Sequence, residues 1–149
     1  MRKAFKITLF AFVMLAASVF VFWDAPRNAV AMIIEKDTIT QTAHAYFKAE
    51  MNKDFPRVYA LLAPSSDYKK KHTYEDFLKD ISQYPPAEIN TYEIIRIHRL
   101  RDNDNRENYP AVEKFVQVEV EVTFTTSGPN NVYNYSFTFL KEKGNWYKG

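Results

Sequence analysis

The sequence predicts an α+β fold in which N-terminal helices pack on an antiparallel sheet. Two periodicities carry the prediction. In the first half, apolar residues recur about every fourth position; from Val116 onward they recur every second one. The helical signals all precede the strand signals, which is the order of an α+β layer arrangement rather than of alternating βα units.

Residues 1–31 stand apart from both patterns. Arg2, Lys3 and Lys6 open the chain, an apolar run from Ile7 to Trp23 follows, and Asp24, Pro26 and Arg27 precede Ala29-Val30-Ala31. Basic start, apolar centre and small-x-small site are the three parts of a secretory signal, with cleavage expected after Ala31. The same run, if retained, is an N-terminal anchor through residues 7–23, although it falls slightly short of the roughly 20 residues a spanning helix needs. The expected location is therefore extracytoplasmic, with the anchor as the one route to a membrane.

Residues 32–149 then form one domain. Ile39, Ala43, Phe47 and Met51 are spaced by four, with Tyr46 beside them, and predict a helix from about Asp37 to Asn52 capped by Asp37 or Thr38. Asp54 caps a second helix with Pro56 in its first turn and Val58, Tyr59, Leu61 and Leu62 as its apolar stripe. Thr73, followed by Glu75 and Asp76, starts a third, which Tyr84-Pro85-Pro86 closes. A strand with mixed faces runs from Ile89 to Arg101, and Asp102 to Pro110 reads as a polar loop. Val116, Val118, Val120, Val122 and Phe124 then alternate with Gln117, Glu119, Glu121 and Thr123, one face dry and one wet. A turn over Ser127-Gly128-Pro129-Asn130-Asn131 leads to Tyr133, Tyr135, Phe137 and Phe139 on one face of the next strand. Lys143-Gly144-Asn145 turns the chain into a last strand at Trp146-Tyr147.

Composition excludes several functions. Taking Arg2, Lys3, Lys6, Arg27 and Asp24 from the 20 basic and 18 acidic residues leaves 16 and 17, a net charge of −1. Nucleic acid, which needs a field of positive charge, is not an expected partner. With no cysteine there is no disulfide, thiolate metal site, lipid-anchoring thiol or cysteine nucleophile. His44, His72 and His98 lack metal-ligand spacing. Lys69-Lys70-Lys71-His72 reads as a solvated basic loop. Asp102, Asp104 and Glu107 lack the Gly and distant Glu of a calcium loop. The glycosylation triplet Asn134-Tyr135-Ser136 falls inside a strand. No cofactor is implied.

The chemistry-bearing group that remains is Tyr92, Arg96, His98, Tyr133 and Tyr135. The first three share strand parity, so they could project from one face; the expected reading is that the tyrosines pack the core with their hydroxyls at its rim, and the alternative is that the group walls a ligand pocket. In that pocket Arg96 would hold an anionic group and His98 would move protons.

The order of one long helix, short helices, a Tyr-Pro break and long strands resembles the nuclear transport factor 2-like superfamily, with its ketosteroid isomerase-like and cystatin-like members. Ala45-Tyr46-Phe47-Lys48-Ala49 with Asp54-Phe55, and Phe137 through Tyr147 with its Gly-x-Trp-Tyr ending, carry the resemblance over most of residues 37–149. It implies a cone-like fold with a curved sheet, a cavity between helix and sheet, and dimerisation through the sheet's outer face. It also implies, in the isomerase-like enzymes, a carboxylate base in that cavity with a hydrogen-bonding Tyr or acid. Here the inward positions of the clearest strand are Val and Phe, and Glu119 and Glu121 point away, so no cavity carboxylate is expected. The expected function is a non-catalytic binding or scaffolding domain, acting on an unknown protein or a small apolar ligand, with a homodimer allowed. The alternative is a small-molecule carrier or isomerase-like enzyme using the cavity. The expected core, Ile39, Phe47, Leu61, Val118, Val120, Tyr135 and Phe137, lies wholly downstream of the apolar run. Residues 32–149 expressed alone are thus expected to unfold in one cooperative thermal transition, and mass spectrometry of the exported protein is expected to find Met32 first after cleavage, or Met1 if an anchor is kept.

Overall fold

The computed structural model describes residues 2–125 and 131–149. It is an α+β fold, helices first, packed on a four-stranded antiparallel sheet of order β1-β2-β3-β4. Of the turn expected over Ser127 to Asn131, residues 127–130 lie outside the described residues. Helix α1 spans Arg2–Phe22. Trp23 interrupts it in an extended conformation, and α2 runs from Asp24 to Met51. Among the described residues no helix is long and apolar enough to cross a membrane.

Helix α2 corrects the expected start at Asp37 or Thr38. It begins 13 residues earlier and passes unbroken through Ala31. Pro26 does not break it, because in a first turn the missing N–H has no helical acceptor to lose. The added turns also touch the domain. Arg27 pairs with Asp102, Asn28 is buried, and Ala31 and Met32 pack on the core. Glu35 accepts a hydrogen bond from the Trp146 indole N–H at 3.0 Å and pairs with Lys141 Nζ at 2.8 Å. The core therefore reaches upstream of residue 32.

Asp54 caps α3 (Phe55–Leu61) by accepting from the Arg57 N–H, and Thr73 and Asp76 form a reciprocal capping box on α5 (Tyr74–Gln83). Between them the expected basic loop is a one-turn helix, α4 (Asp67–Lys71), because the Ser66 hydroxyl accepts from the Lys69 N–H. Strands β1 (Ile89–Asp102), β2 (Val112–Phe124), β3 (Tyr133–Glu142) and β4 (Asn145–Lys148) follow as a meander. Lys143 and Gly144, both at positive φ, form the two-residue turn between the last two. The Asp102–Pro110 loop closes on Asn103. This buried amide donates to the carbonyls of Tyr109 and Val112 at 2.7 and 2.9 Å and accepts from the Asn105 N–H at 2.8 Å.

The core is the inner face of the sheet under α2. Val116, Val118, Val120 and Val122 meet Ile39, Ala43 and Phe47 there. Of the expected core, Leu61 and Phe137 are half-buried and Tyr135 is exposed. A second cluster, Ala63, Val112 and Leu140, sits where the end of α3 meets the sheet. The Ala63 N–H donates to the Lys148 carbonyl there, at 2.7 Å.

Because residues 24–31 contribute a buried side chain, an ion pair and helix turns, a chain cut to residues 32–149 is expected to fold less stably than residues 24–149. The difference is on the order of 2 kcal/mol, read as a lower urea midpoint with a similar slope.

Candidate functional site

Helix α2 does not cover the whole inner face. Beyond Phe47, at the end of the sheet where Val122, Phe124, Tyr135 and Phe137 lie, the gap is walled by α3 and α5 instead. Helix α3 is only seven residues long, so its apolar stripe is short, and Phe55, Val58, Phe77 and Ile81 stop short of filling the space. What remains is an open-mouthed cavity of about 1220 Å³. That is above the usual span of small-molecule pockets, roughly 300–1,000 Å³. Tyr84, Pro86 and Ala87, from the Tyr-Pro break, edge it and are exposed. Its walls are aromatic: Phe137 stands 5.2 Å from Phe47 and 5.8 Å from Tyr135, centroid to centroid.

A few polar groups converge on this apolar space. Tyr46 and Glu50 lie one turn apart on α2, so their side chains share a face. The Tyr46 hydroxyl donates to Glu50 Oε1 at 2.9 Å. Burial, and then the adjacent Glu50 charge, push the Tyr46 phenol far above its ordinary range. Burial also raises Glu50; the Tyr46 hydrogen bond and the Lys148 charge oppose it without cancelling it. Lys148 enters from β4, and burial lowers its ammonium against the pull of Glu50. Its Nζ lies 5.9 Å from the Phe137 ring centroid and, among the described residues, has no hydrogen-bond or ion-pair partner. Across the cavity the Tyr68 hydroxyl donates to Asp80 Oδ2 at 2.6 Å, and burial together with that carboxylate pushes the phenol up to about 12.

The residues singled out from the sequence divide between two faces. Tyr135 lines the cavity. Tyr133 shares its face but sits at the sheet's end, 5.6 Å from the Phe124 ring and 42% exposed. Tyr92 also faces inward, bonded to His44 Nδ1 at 2.8 Å, its ring tilted against Phe47 at 5.1 Å beside the cavity. Arg96 and His98 do not join them. The expected common parity fails at a β-bulge: Ile94 pairs with Val120, yet Arg96 pairs with Glu119, so Ile95 is an extra residue and the side chains from Arg96 to His98 change face, until a second register shift before Arg101. Arg96 lies on the outer face, its Nη2 2.8 Å from Glu119 Oε2, and His98 Nε2 is 3.9 Å from the same oxygen.

The absence of a cavity carboxylate, expected from β2, is corrected by α2 and α5, which supply Glu50 and Asp80. Two signals in the sequence point to the missed group. Glu50 falls one turn beyond Tyr46 on the apolar stripe of α2, and Lys148 follows buried Trp146 by two in a strand. A charged residue on an otherwise dry face is the informative observation. No protein-family model matches the chain, and no curated protein sequence matches it.

The Glu50 environment sets a pH dependence. With its proton affinity raised by folding, the folded state binds more protons than the unfolded one between the ordinary and raised values. Stability from this group is full below the ordinary carboxylate value and falls as pH rises through that window. Thermal unfolding followed from pH 3 to 8 is expected to show Glu50→Gln gaining on the wild type as pH rises across it, with no gain at the acid end.

Proposed function

We propose that this chain is an extracytoplasmic small-molecule-binding domain of the nuclear transport factor 2-like kind, holding an apolar ligand between its long helix and its sheet. The observation that carries the reading is the aromatic cavity of about 1220 Å³ with a small polar group on one wall. Such a space is expensive to keep. Residues that could have met across it instead expose Tyr135 and half-expose Phe137, and filling it with a ligand recovers the lost burial. The helix order and the meander support the superfamily assignment at the level of architecture alone, and architecture does not name a ligand.

Export rests on residues 1–31. The apolar side chains of α1 that can be placed, among them Leu9, Phe10, Phe12 and Leu15, face solvent, so the folded domain does not use them. The continuation of α2 through Ala31 favours the arm in which residues from Asp24 onward stay with the domain, over cleavage at Ala31.

A second reading has one specific support. Glu50, desolvated and bonded to Tyr46, is placed as a base in an apolar cavity, so proton transfer in a bound ketone-like substrate is the enzymatic alternative. Arg96 and His98, on the outer face, have no part in it.

The binding reading is tested with a neutral apolar dye, N-phenyl-1-naphthylamine. Its fluorescence is expected to rise saturably with the folded protein. Ala87→Trp, which places an indole at the cavity edge, is expected to weaken the dye about tenfold or more, at the order of one large apolar contact. Equal binding by wild type and variant overturns the assignment of the dye to this cavity.

A further inference from the structure

Among the described residues Lys148 is the one cation on the cavity wall, and beyond the through-space pull of Glu50 and the Phe137 ring face its charge has no direct partner. Its position is held at the backbone: its carbonyl accepts from the Ala63 N–H at 2.7 Å, it pairs with Phe139 across β3, and the following Gly149 N–H donates to the Thr138 carbonyl at 2.9 Å. The side chain lies along the cavity wall with Nζ 5.9 Å from the Phe137 ring centroid, its three N–H donors without a hydrogen-bond or ion-pair partner among the described residues. Burial lowers this ammonium, and its donors are open to an acceptor that enters the cavity. Among the described residues none of the cavity's acids bonds Lys148 directly. Glu50 Oε1 accepts from the Tyr46 hydroxyl, Asp80 Oδ2 accepts from the Tyr68 hydroxyl, and Asp67 is exposed at the first turn of α4.

We infer that Lys148 is the head-group site of this cavity, and that its ligand is an apolar carboxylate of the fatty-acid class, with the chain lying along Phe137, Tyr135 and Phe124 and the carboxylate at Nζ. The inference rests on the binding reading above and adds the chemistry of the ligand. A carboxylate supplies the acceptors the ammonium lacks, in a charge-assisted bond of the stronger kind. An alcohol of the same length supplies one neutral acceptor. A quaternary ammonium of the same length would suit the carboxylates and the aromatic faces, and would be repelled by Lys148.

The three classes give different outcomes in one experiment with the full chain. Bound N-phenyl-1-naphthylamine is displaced by decanoate, decanol or decyltrimethylammonium, each below its micellar concentration. Decanoate is expected to displace at a concentration about tenfold or more below decanol. Lys148→Met, which keeps most of the stem, is expected to bring decanoate to the level of decanol and leave decanol unchanged; Lys148→Arg is expected to keep the preference. Equal potency of decanoate and decanol in the wild type overturns the head-group assignment, as does a lead for decyltrimethylammonium or a preference that survives Lys148→Met. In each of those cases the cavity itself still binds. Failure of all three amphiphiles to displace the dye, or of the dye to bind, removes the binding reading as well. The ranking in the wild type decides the matter even if Lys148→Met fails to fold.

Discussion

Val116, Val118, Val120 and Val122 leave 2% or less of their surface to solvent, and α2 is what covers them. A period-two strand with one wholly apolar face has no stable existence until that face is buried. Ile39, Ala43 and Phe47, one helical turn apart, meet it along a diagonal, and the remaining parts are arranged around that contact. At one end the bond from Trp146 to Glu35 and the Glu35–Lys141 pair tie the helix to β4 and β3. At the other the helix ends at Met51 and Asn52 while the sheet continues, and the short helices α3 to α5 take over.

The cavity follows from that mismatch in length. A helix rises about 1.5 Å per residue and a strand about 3.3 Å, so a helix laid across twisted strands rarely matches their extent. Here the excess of β2 and β3 beyond Phe47 is roofed by elements too short to press onto it. Polar groups persist in the gap because each finds a partner or a route to water: Tyr46 with Glu50, Tyr68 with Asp80. Lys148 lies over a ring face and feels the Glu50 charge without a direct bond to it, which is why the electrostatics of the site turn on it.

Much of the fold was legible because its signals are local. Asp54 and Thr73 cap helices in the structure as their spacing to Pro56 and Asp76 indicates, and the valine alternation of β2 needs no tertiary information. Three features were hidden for identifiable reasons. The start of α2 was obscured because Pro26 reads as a breaker in sequence and is harmless in a first turn. The face of Arg96 and His98 depended on an extra residue in β1, and β1 has no clean alternation from which to detect one. The cavity group joins Glu50 to Lys148 across 98 positions of chain, a juxtaposition that only the register of β4 on β3 creates. Tyr135 was reachable from sequence because it stands on a strand whose parity never slips.

The bulge at Ile95 makes chain length in β1 a matter of rotation rather than reach. Removing one residue there would shorten the strand by a few ångströms, which the loops at either end could absorb. It would also turn the rest of β1 over, bringing Arg96 and His98 against the valines of β2 and sending Ile97 out to the side of Glu119. Substitutions at Ile95, itself 45% exposed, meet little resistance, whereas its loss or duplication exchanges the wet and dry faces of half a strand.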